Sequence, residues 1–263
     1  MVLKRNSLIL FSIFLMSLLL SGCGPQSQLA TTPTSDKKVI NVGSATSFPP
    51  FEFQDEKTQE YIGFDMDLAR AVFKQAGYET KIISTNFDGL IPALLANNID
   101  AIISGMQITE ERSRKVLFSN PYFDSGQNIL VKKDNNSINS WKELEGKKIG
   151  VQLGTSGASE ARKVPNAIIH EYDNTSEANL DLLAGGLDAV VNSVPVNAYY
   201  LKNGGGDKSA KMVGEIHRAL FCGIAVNQNN KQLADKINIA LDELKANGEY
   251  DRIYEKWFGK RQK

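Results

Sequence analysis

Cysteine and histidine are scarce, at two residues each in a chain of 263. Cys23 follows a hydrophobic leader and Cys222 sits beside Phe221 in an apolar stretch, contexts too different for a disulfide framework. Cys222 reads as a small apolar packing residue. His170 and His217 stand amid polar neighbours and read as surface residues, so no metal site is expected. An excess of one charge is missing too: Lys+Arg and Asp+Glu both number 30, which removes the basic footprint of a nucleic-acid binder. Absent as well are Gly-x-Ser-x-Gly, His-Glu-x-x-His, Cys-x-x-Cys and the dinucleotide fingerprint. Acidic residues are plentiful, but none stands out as a catalytic pair. The chain therefore reads as a protein without catalytic residues or cofactor. What is present is an ordinary globular composition, 42% apolar and 23% charged, long enough for one large or two modest domains.

The one long apolar run is N-terminal. Lys4 and Arg5 precede Leu8–Leu20, a run shorter than the roughly 20 residues of a transmembrane helix. It ends in Leu20-Ser21-Gly22-Cys23, which resembles the bacterial lipobox, whose cysteine is acylated and becomes the new N-terminus. Residues 1–22 are read as a signal peptide. Residues 23–38 are read as the lipidated cysteine, Cys23, and a flexible tether rich in Pro, Gln, Ser and Thr. Such a tether reaches roughly 20 Å on flexible-chain scaling. The expected location is extracytoplasmic, with the protein lipid-anchored to the cell membrane.

An internal similarity carries the reading of the body. The stretch Asn86–Gly105 aligns without gaps to Asn174–Ser193, at a spacing of 88 residues. Leu94-Leu95-Ala96 meets Leu182-Leu183-Ala184, and Asp100-Ala101-Ile102-Ile103 meets Asp188-Ala189-Val190-Val191. Each copy predicts a short helix, a polar or Gly break, and a buried four-residue strand. Val39–Val42 and Lys148–Val151 predict strands, and Phe64–Ala76 an amphipathic helix stopped by Gly77. Thr109 predicts an N-cap for a helix over Glu110–Val116. Lys231–Phe258 carries apolar residues at helical spacing, with a break at Gly248. Two lobes on one α/β plan, with parallel-rich sheets flanked by helices, account for this pattern. In such sheets ligands sit beyond the carboxyl ends of the strands, so the two lobes would face each other across a ligand cleft.

Arg112 falls in the first turn of its expected helix, where the macrodipole disfavours a cation. It is either an anion-binding arginine or a solvated surface one. Gly154-Thr155-Ser156-Gly157 lies between a strand and a helix and reads as an anion site or a plain turn. Phe48 and Phe87 sit in turns where an aromatic can wall a ligand side chain or pack in a core. Phe51 and Phe53 are read as core.

Taken together, Gly43–Phe53 (GSATSFPPFEF), Gly63–Ala69 (GFDMDLA), Phe87–Leu94 (FDGLIPAL), Asp100–Arg112 (DAIISGMQITEER), Phe118–Phe123 (FSNPYF), Gly146–Thr155 (GKKIGVQLGT) and Gly248–Phe258 (GEYDRIYEKWF) resemble a known pattern. It is that of the bacterial extracellular solute-binding proteins of family 3, the polar amino-acid receptors of ABC importers. The resemblance implies a two-lobed periplasmic-binding-protein fold of type II, each lobe a mixed sheet flanked by helices, hinged by two crossing strands. Lobe 1 would span 39–125 plus 223–263 and lobe 2 126–222, with crossings near Asp124–Val131 and Phe221–Val226. By the same resemblance, Phe48 and Phe87 sandwich the ligand side chain. Arg112 holds the α-carboxylate, helped by the Gln107 and Ser156 backbone amides, and Ser104 and Gly105 line the wall. Gln152 and Thr155 face the ligand from the second lobe. The implied partners are an amino acid or derivative, an importer permease and the membrane; the protein would be a monomer that binds no nucleic acid.

Two positions depart from the resemblance. The family usually has Asp or Glu where this chain has Ala45, and Asp, pairing with the α-ammonium, where it has Ser193. Losing that ammonium partner weakens binding about ten- to a hundredfold, at roughly 1.5–3 kcal/mol for a hydrogen bond to a charged group. Asn192 and Ser193 can still accept neutral hydrogen bonds, and Gln107 is longer than the small hydroxyl residue usual there. The leading expectation is a receptor for an arginine-, lysine- or glutamine-like amino acid that serves an importer. The alternatives are a receptor for an N-substituted or opine-like derivative, a sensor that hands ligand occupancy to a membrane partner, and a dehydratase-type enzyme on the same fold.

Overall fold

The computed structural model describes residues 38–260; the leader, Cys23 and the tether lie outside the described residues. Two five-stranded sheets dominate. The first runs Tyr78–Ser84, Lys38–Ser44, Ala101–Ile102, Ala225–Asn227, Val116–Phe118. The second runs Ile168–Tyr172, Lys148–Gln152, Ala189–Ser193, Phe123–Lys132, Ala210–Cys222. In each, the first three strands pair in parallel and the fourth is antiparallel to both neighbours. The fourth strand is in both cases the one that arrives from the other sheet, so each lobe is completed by a segment of chain that has crossed over. A small sheet of Ser47–Phe48, Glu52–Gln54 and Tyr61–Ile62 is added to the first lobe.

Both main sheets are covered on two faces, which explains why their central strands read as apolar runs. Ala101 and Ile103 pack with the helices Phe64–Gln75 and Lys231–Ala246, while Ile102, pointing the other way, packs with Leu90 and Leu94 of the helix Leu90–Leu95. In the second sheet Ala189 and Val191 pack with Ala158 and Ala161, while Val190 packs with Ala178 and Leu182. The period of two is the strand geometry itself.

The internal similarity is borne out in detail. Asp100 Oδ2 accepts the Asn41 N–H at 2.8 Å, and Asp188 Oδ2 accepts the Lys148 N–H at 2.8 Å. Asn97 (φ 58°) and Gly185 (φ 89°), equivalent in the alignment, both end a helix in the left-handed conformation. A further equivalence has no counterpart in the ungapped alignment. A Cβ on Gly43 would stand 2.3 Å from Ile99 Cδ1, and one on Gly150 would stand 2.4 Å from Leu187 Cδ1. Each glycine lets the apolar residue after the break press onto the sheet.

Three expectations are corrected. The helix capped by Thr109 is only Glu110–Ser113, because Val116-Leu117-Phe118 pairs with Ala225–Asn227, and that strand pairing overrides helix continuation. The first repeat's strand is the two-residue Ala101–Ile102 rather than four residues. The first crossing lies at the head of Phe123–Lys132 rather than along it, since Gln127 already pairs with Ser193 of the second sheet. There Phe123, Asp124 and Ser125 pair with Cys222, Phe221 and Leu220, so the two crossings run side by side as one ribbon. The C-terminal helices Lys231–Ala246 and Glu249–Phe258 break at Gly248 as expected. Among the described residues no helix is long and apolar enough to cross a membrane.

Candidate ligand-binding site

The carboxyl ends of the parallel strands in both sheets converge on a cavity of about 20 Å³. From the first lobe, Phe48 comes off the small sheet, and Phe87 opens a turn of 3-10 helix. Gly105 and Gln107 follow the central strand, and Arg112 stands on the Thr109-capped turn, where the Arg112 N–H bonds to the Thr109 hydroxyl at 3.2 Å. From the second lobe, Gln152 ends its strand, and Thr155 and Ser156 open the helix Ser156–Ala161. Asn192 and Ser193 end the central strand there. Ten of the eleven residues singled out for ligand contact thus meet in one lining.

The exception is Ser104. It is buried, and its hydroxyl turns to Glu52, donating to Oε1 at 2.8 Å while accepting the Ala45 N–H at 2.9 Å. One lining residue was not anticipated: Gln127, on the crossing strand Phe123–Lys132. A signal for it exists in the sequence, since Gln127-Asn128 interrupts a strand whose following residues Ile129-Leu130-Val131 are all apolar and buried.

Arg112 is the only charged residue of this lining and is 8% exposed. Its guanidinium donates to Gln107 O at 2.6 Å and Gly154 O at 3.0 Å and lies 5.2 Å from the Phe87 ring centroid. Among the described residues no carboxylate forms an ion pair with it. Burial pushes its pKa down to about 10. A buried guanidinium bonded only to backbone carbonyls keeps the capacity to donate a charge-assisted bond to an anion. Two backbone N–H groups nearby are unclaimed by regular structure. The bridge between Gln107 and Cys222 is made by Ile108 N–H to Phe221 O and Gly223 N–H to Met106 O, which leaves Gln107 N–H outside it. Ser156 is the first residue of its helix, so its N–H has no intrahelical acceptor.

Amides and hydroxyls make up most of the remainder. Gln127 Nε2 donates to Gln107 Oε1 and to Ser156 Oγ, each at 3.1 Å, and the Ser156 hydroxyl donates to Gln107 Oε1. Gln152 Nε2 donates to Asp173 O at 3.1 Å, Asn192 Nδ2 to Thr175 Oγ1 at 3.2 Å, and the Ser193 and Ser125 hydroxyls bond to each other at 3.0 Å. Thr155 is turned partly inward on its own helix, its hydroxyl accepting the Ala158 N–H.

The lobes touch here. Gly154 adopts φ +75°, and a Cβ on it would stand 3.0 Å from Asp88 Cβ, so this turn resists a side chain on two counts. Phe53, expected in the core, is half-buried between the rings of Trp257 and Tyr199, the latter on the helix Val194–Asn203 of the second lobe. Outside the contact a groove of about 670 Å³ shares Phe87, Arg112 and Ser156 with the cavity and carries Gly154, Glu110, Lys115, Glu160 and Lys163. The two histidines lie apart from the cavity lining, the His217 ring tilted against that of Trp141 with centroids 4.4 Å apart. Cys222 is buried as expected, but its neighbour Phe221 is 49% exposed rather than packed beside it.

The chain is similar in sequence and in fold to other proteins. The chain is 36% identical over 250 residues to the L-arginine-binding protein of Pseudomonas aeruginosa strain PAO1, covering 92% of this chain and 96% of that one. Two solved structures of an ancestral arginine-binding protein, one bound to arginine and one to glutamine, superpose with a TM-score of 0.81 at 46% identity, over 84% of this chain and 98% of theirs. The ancestral amino acid-binding protein AncCDT-1, a precursor of cyclohexadienyl dehydratase, superposes at 0.77 with 40% identity, over 84% and 95%. Residues 40–260 match one family throughout, and the chain belongs to the bacterial extracellular solute-binding proteins, family 3.

Proposed function

We propose that this protein captures a polar amino acid, arginine-, lysine- or glutamine-like, between its lobes and delivers it to the permease of an ABC importer. The observation that carries the reading is Arg112: a buried guanidinium with no carboxylate partner among the described residues, at a cavity where both lobes end their strands. A ligand α-carboxylate supplies the counter-charge, with Gln107 and Ser156 N–H as further donors. Phe48 and Phe87 flank the ligand side chain, and Gln107, Gln127, Gln152 and Asn192 offer it both donors and acceptors. The names of relatives that bind arginine, and of a neighbour bound to glutamine, support this ligand class.

A cavity of about 20 Å³ is far below the roughly 300–1,000 Å³ usual for a ligand site, so ligand exchange requires the lobes to part about the paired crossings. We place lobe 1 at 39–125 plus 223–263 and lobe 2 at 126–222. The protein acts as a monomer and catalyses no reaction. In support, the cavity lining holds no Asp, Glu or His to serve as general acid. Residues 1–22 act as a signal peptide and Cys23 carries the lipid that holds the protein at the outer face of the membrane.

The same lining favours a second reading. With Ser193 where an acid would meet the α-ammonium, a ligand without a free α-ammonium, N-substituted or opine-like, loses nothing at this position. A thermal-shift panel on the purified protein, unfolded and refolded to release bound ligand, separates the two. It holds L-arginine, L-lysine, L-glutamine, L-histidine and N-acylated or deaminated analogues. A ligand at a thousand times its Kd adds about 4 kcal/mol, or roughly 8–16 °C for a chain of this size. A shift with a free amino acid supports the first reading, shifts with modified compounds alone support the second, and no shift with any carboxylate refutes both.

A further inference from the structure

Next to the cavity wall two acids are fully buried: Glu52 in the small sheet and Asp65 in the first turn of the helix Phe64–Gln75. Asp65 Oδ2 accepts the Gly105 N–H at 2.6 Å and the Tyr122 O–H at 2.8 Å. Glu52 Oε1 accepts the Ser104 hydroxyl at 2.8 Å, and that hydroxyl in turn accepts the Ala45 N–H. The other two oxygens, Glu52 Oε2 and Asp65 Oδ1, are buried and meet no N–H or O–H donor. The two carboxyls are close enough to act on each other's charge, and neither free oxygen has a donor from any other group. A proton held between them would give both oxygens a partner, which two carboxylates could not do.

We propose that Glu52 and Asp65 share a single proton, Glu52 as the neutral acid and Asp65 as the carboxylate, and that this pair positions the Ser104–Gly105 segment that walls the ligand cavity. Asp65 is the ionised partner because it takes two donors and sits at the positive end of a twelve-residue helix. Glu52 takes only one hydroxyl donor. Burial and the Asp65 charge hold the Glu52 carboxyl well above the usual carboxylate range, and burial pushes Asp65 up to about 6. The titratable neighbours do not compete for the proton. Tyr122, from the chain before Phe123–Lys132, and Cys222, from the strand Ala210–Cys222, are both raised by burial and by the acids, and so stay neutral. Tyr250 of the last helix donates to Tyr122 O at 2.5 Å, while Arg112 and Asp124 act on Cys222 rather than on the pair. With its proton the pair is a continuous chain of hydrogen bonds from Ala45 N–H to Gly105 N–H, beginning and ending on backbone at the site.

The shared proton is a property of the chain whatever the ligand; its bearing on affinity rests on the amino-acid reading above. The test begins with carbon NMR of wild-type protein labelled at the glutamate carboxyls. One glutamate is expected at the protonated shift, unchanged from about pH 5 to 8, where ordinary carboxylates are ionised. That signal is lost in Glu52→Gln. Ionised shifts for every glutamate at neutral pH overturn the proposal without any variant. For positioning, the Gly105 amide resonance is expected to move in Glu52→Leu and to return in Glu52→Gln, whose side chain can still accept from Ser104 and donate to Asp65. Affinity for L-arginine or L-glutamine follows the same pattern, falling about tenfold in Glu52→Leu and being largely rescued in Glu52→Gln. An unmoved Gly105 resonance in Glu52→Leu refutes the positioning role. If neither amino acid binds the wild type, the functional reading fails while the carbon and amide spectra still decide the pair.

Discussion

Replacing Arg112 by Met separates what this residue does for binding from what it does for folding. On the proposed reading, the guanidinium fork would give a ligand carboxylate two charge-assisted hydrogen bonds. At roughly 1.5–3 kcal/mol each, their loss lowers affinity by about 10²- to 10⁴-fold. Stability responds differently. The buried charge has no carboxylate partner among the described residues, and a pKa pushed down to about 10 corresponds to roughly 3 kcal/mol of penalty on the charged form. The sign follows from the folded value lying below the unfolded one. The penalty is complete below about pH 10 and is relieved only as pH rises toward the unfolded value. Methionine removes that penalty, keeps an apolar stem against Phe87, and loses the bonds to Gln107 O and Gly154 O, each worth roughly 1.5–3 kcal/mol with a charged donor. The opposing contributions largely cancel, leaving a net loss of no more than about 3 kcal/mol. Titration calorimetry with the best ligand of the panel should show binding lost or reduced at least a hundredfold, while the melting temperature falls by no more than about 10 °C. Affinity within threefold of wild type would refute the carboxylate role. A fall in melting temperature well beyond about 10 °C would refute the cancellation and make Arg112 a structural residue.

Gly154→Ala should fold but close poorly, since the left-handed turn and Asp88 both resist a Cβ. Affinity should drop about tenfold, with small-angle scattering reporting a more open average shape in the presence of ligand; unchanged affinity would mean that the Gly154–Asp88 contact does not belong to the ligand-bound form. Cys23→Ser should abolish incorporation of labelled fatty acid and move the protein from membrane to medium, and continued labelling would place the lipid elsewhere. If Glu52 keeps its proton in the folded state and releases it on unfolding, the native state binds one proton more than the unfolded state above about pH 5. Wild type should then lose stability relative to Glu52→Gln by about 1.4 kcal/mol per pH unit as pH rises, measured by urea unfolding, and parallel pH profiles would exclude the bound proton.

Periodicity made the body of the fold legible. Strands buried on both faces leave unbroken apolar runs, and the two copies of helix, break and strand kept their spacing, so the two-lobed plan could be read from Asn86–Gly105 and Asn174–Ser193 alone. The matching strands Lys38–Ser44 and Lys148–Gln152 escaped the alignment because only the first copy carries the small three-stranded sheet. That insertion changes the offset between Gly43 and Gly150 from the one relating Ile99 to Leu187. The candidate site was legible where a residue sits at a strand end or on a glycine-rich turn, which covers Gly105, Thr155 and Ser193, and where a cation stands in the first turn of a helix, which singled out Arg112. Side-chain direction was not legible. Ser104 and Gly105 are adjacent, yet one bonds away from the cavity and the other lines it. Gln127 is brought in by a crossing strand whose register no local pattern fixes. Glu52 and Asp65 lie in separate elements, so nothing short of the packed fold could reveal that they meet.

The bonds that close the cleft also bear on selectivity. Arg112 to Gly154 O, Gln127 to Gln107 Oε1 and Ser156 to Gln107 Oε1 all join one lobe to the other. At roughly 0.5–1.5 kcal/mol for a neutral bond and up to about 3 for the charged one, they hold the lobes together by a few kcal/mol. A ligand that enters between Gln107 and Gln127 must replace those bonds before it contributes anything net. Because amides both donate and accept, a guanidinium and a carboxamide can each do so, whereas an alkyl side chain leaves the two glutamines buried and unpaired. The lining is therefore expected to reject apolar amino acids strongly and to separate arginine from glutamine weakly, which the same thermal-shift panel extended with L-leucine checks. Ser193 does not choose between arginine and glutamine, because both carry the α-ammonium that an acid there would meet; Ser193→Asp should instead favour either free amino acid over an N-substituted or deaminated ligand.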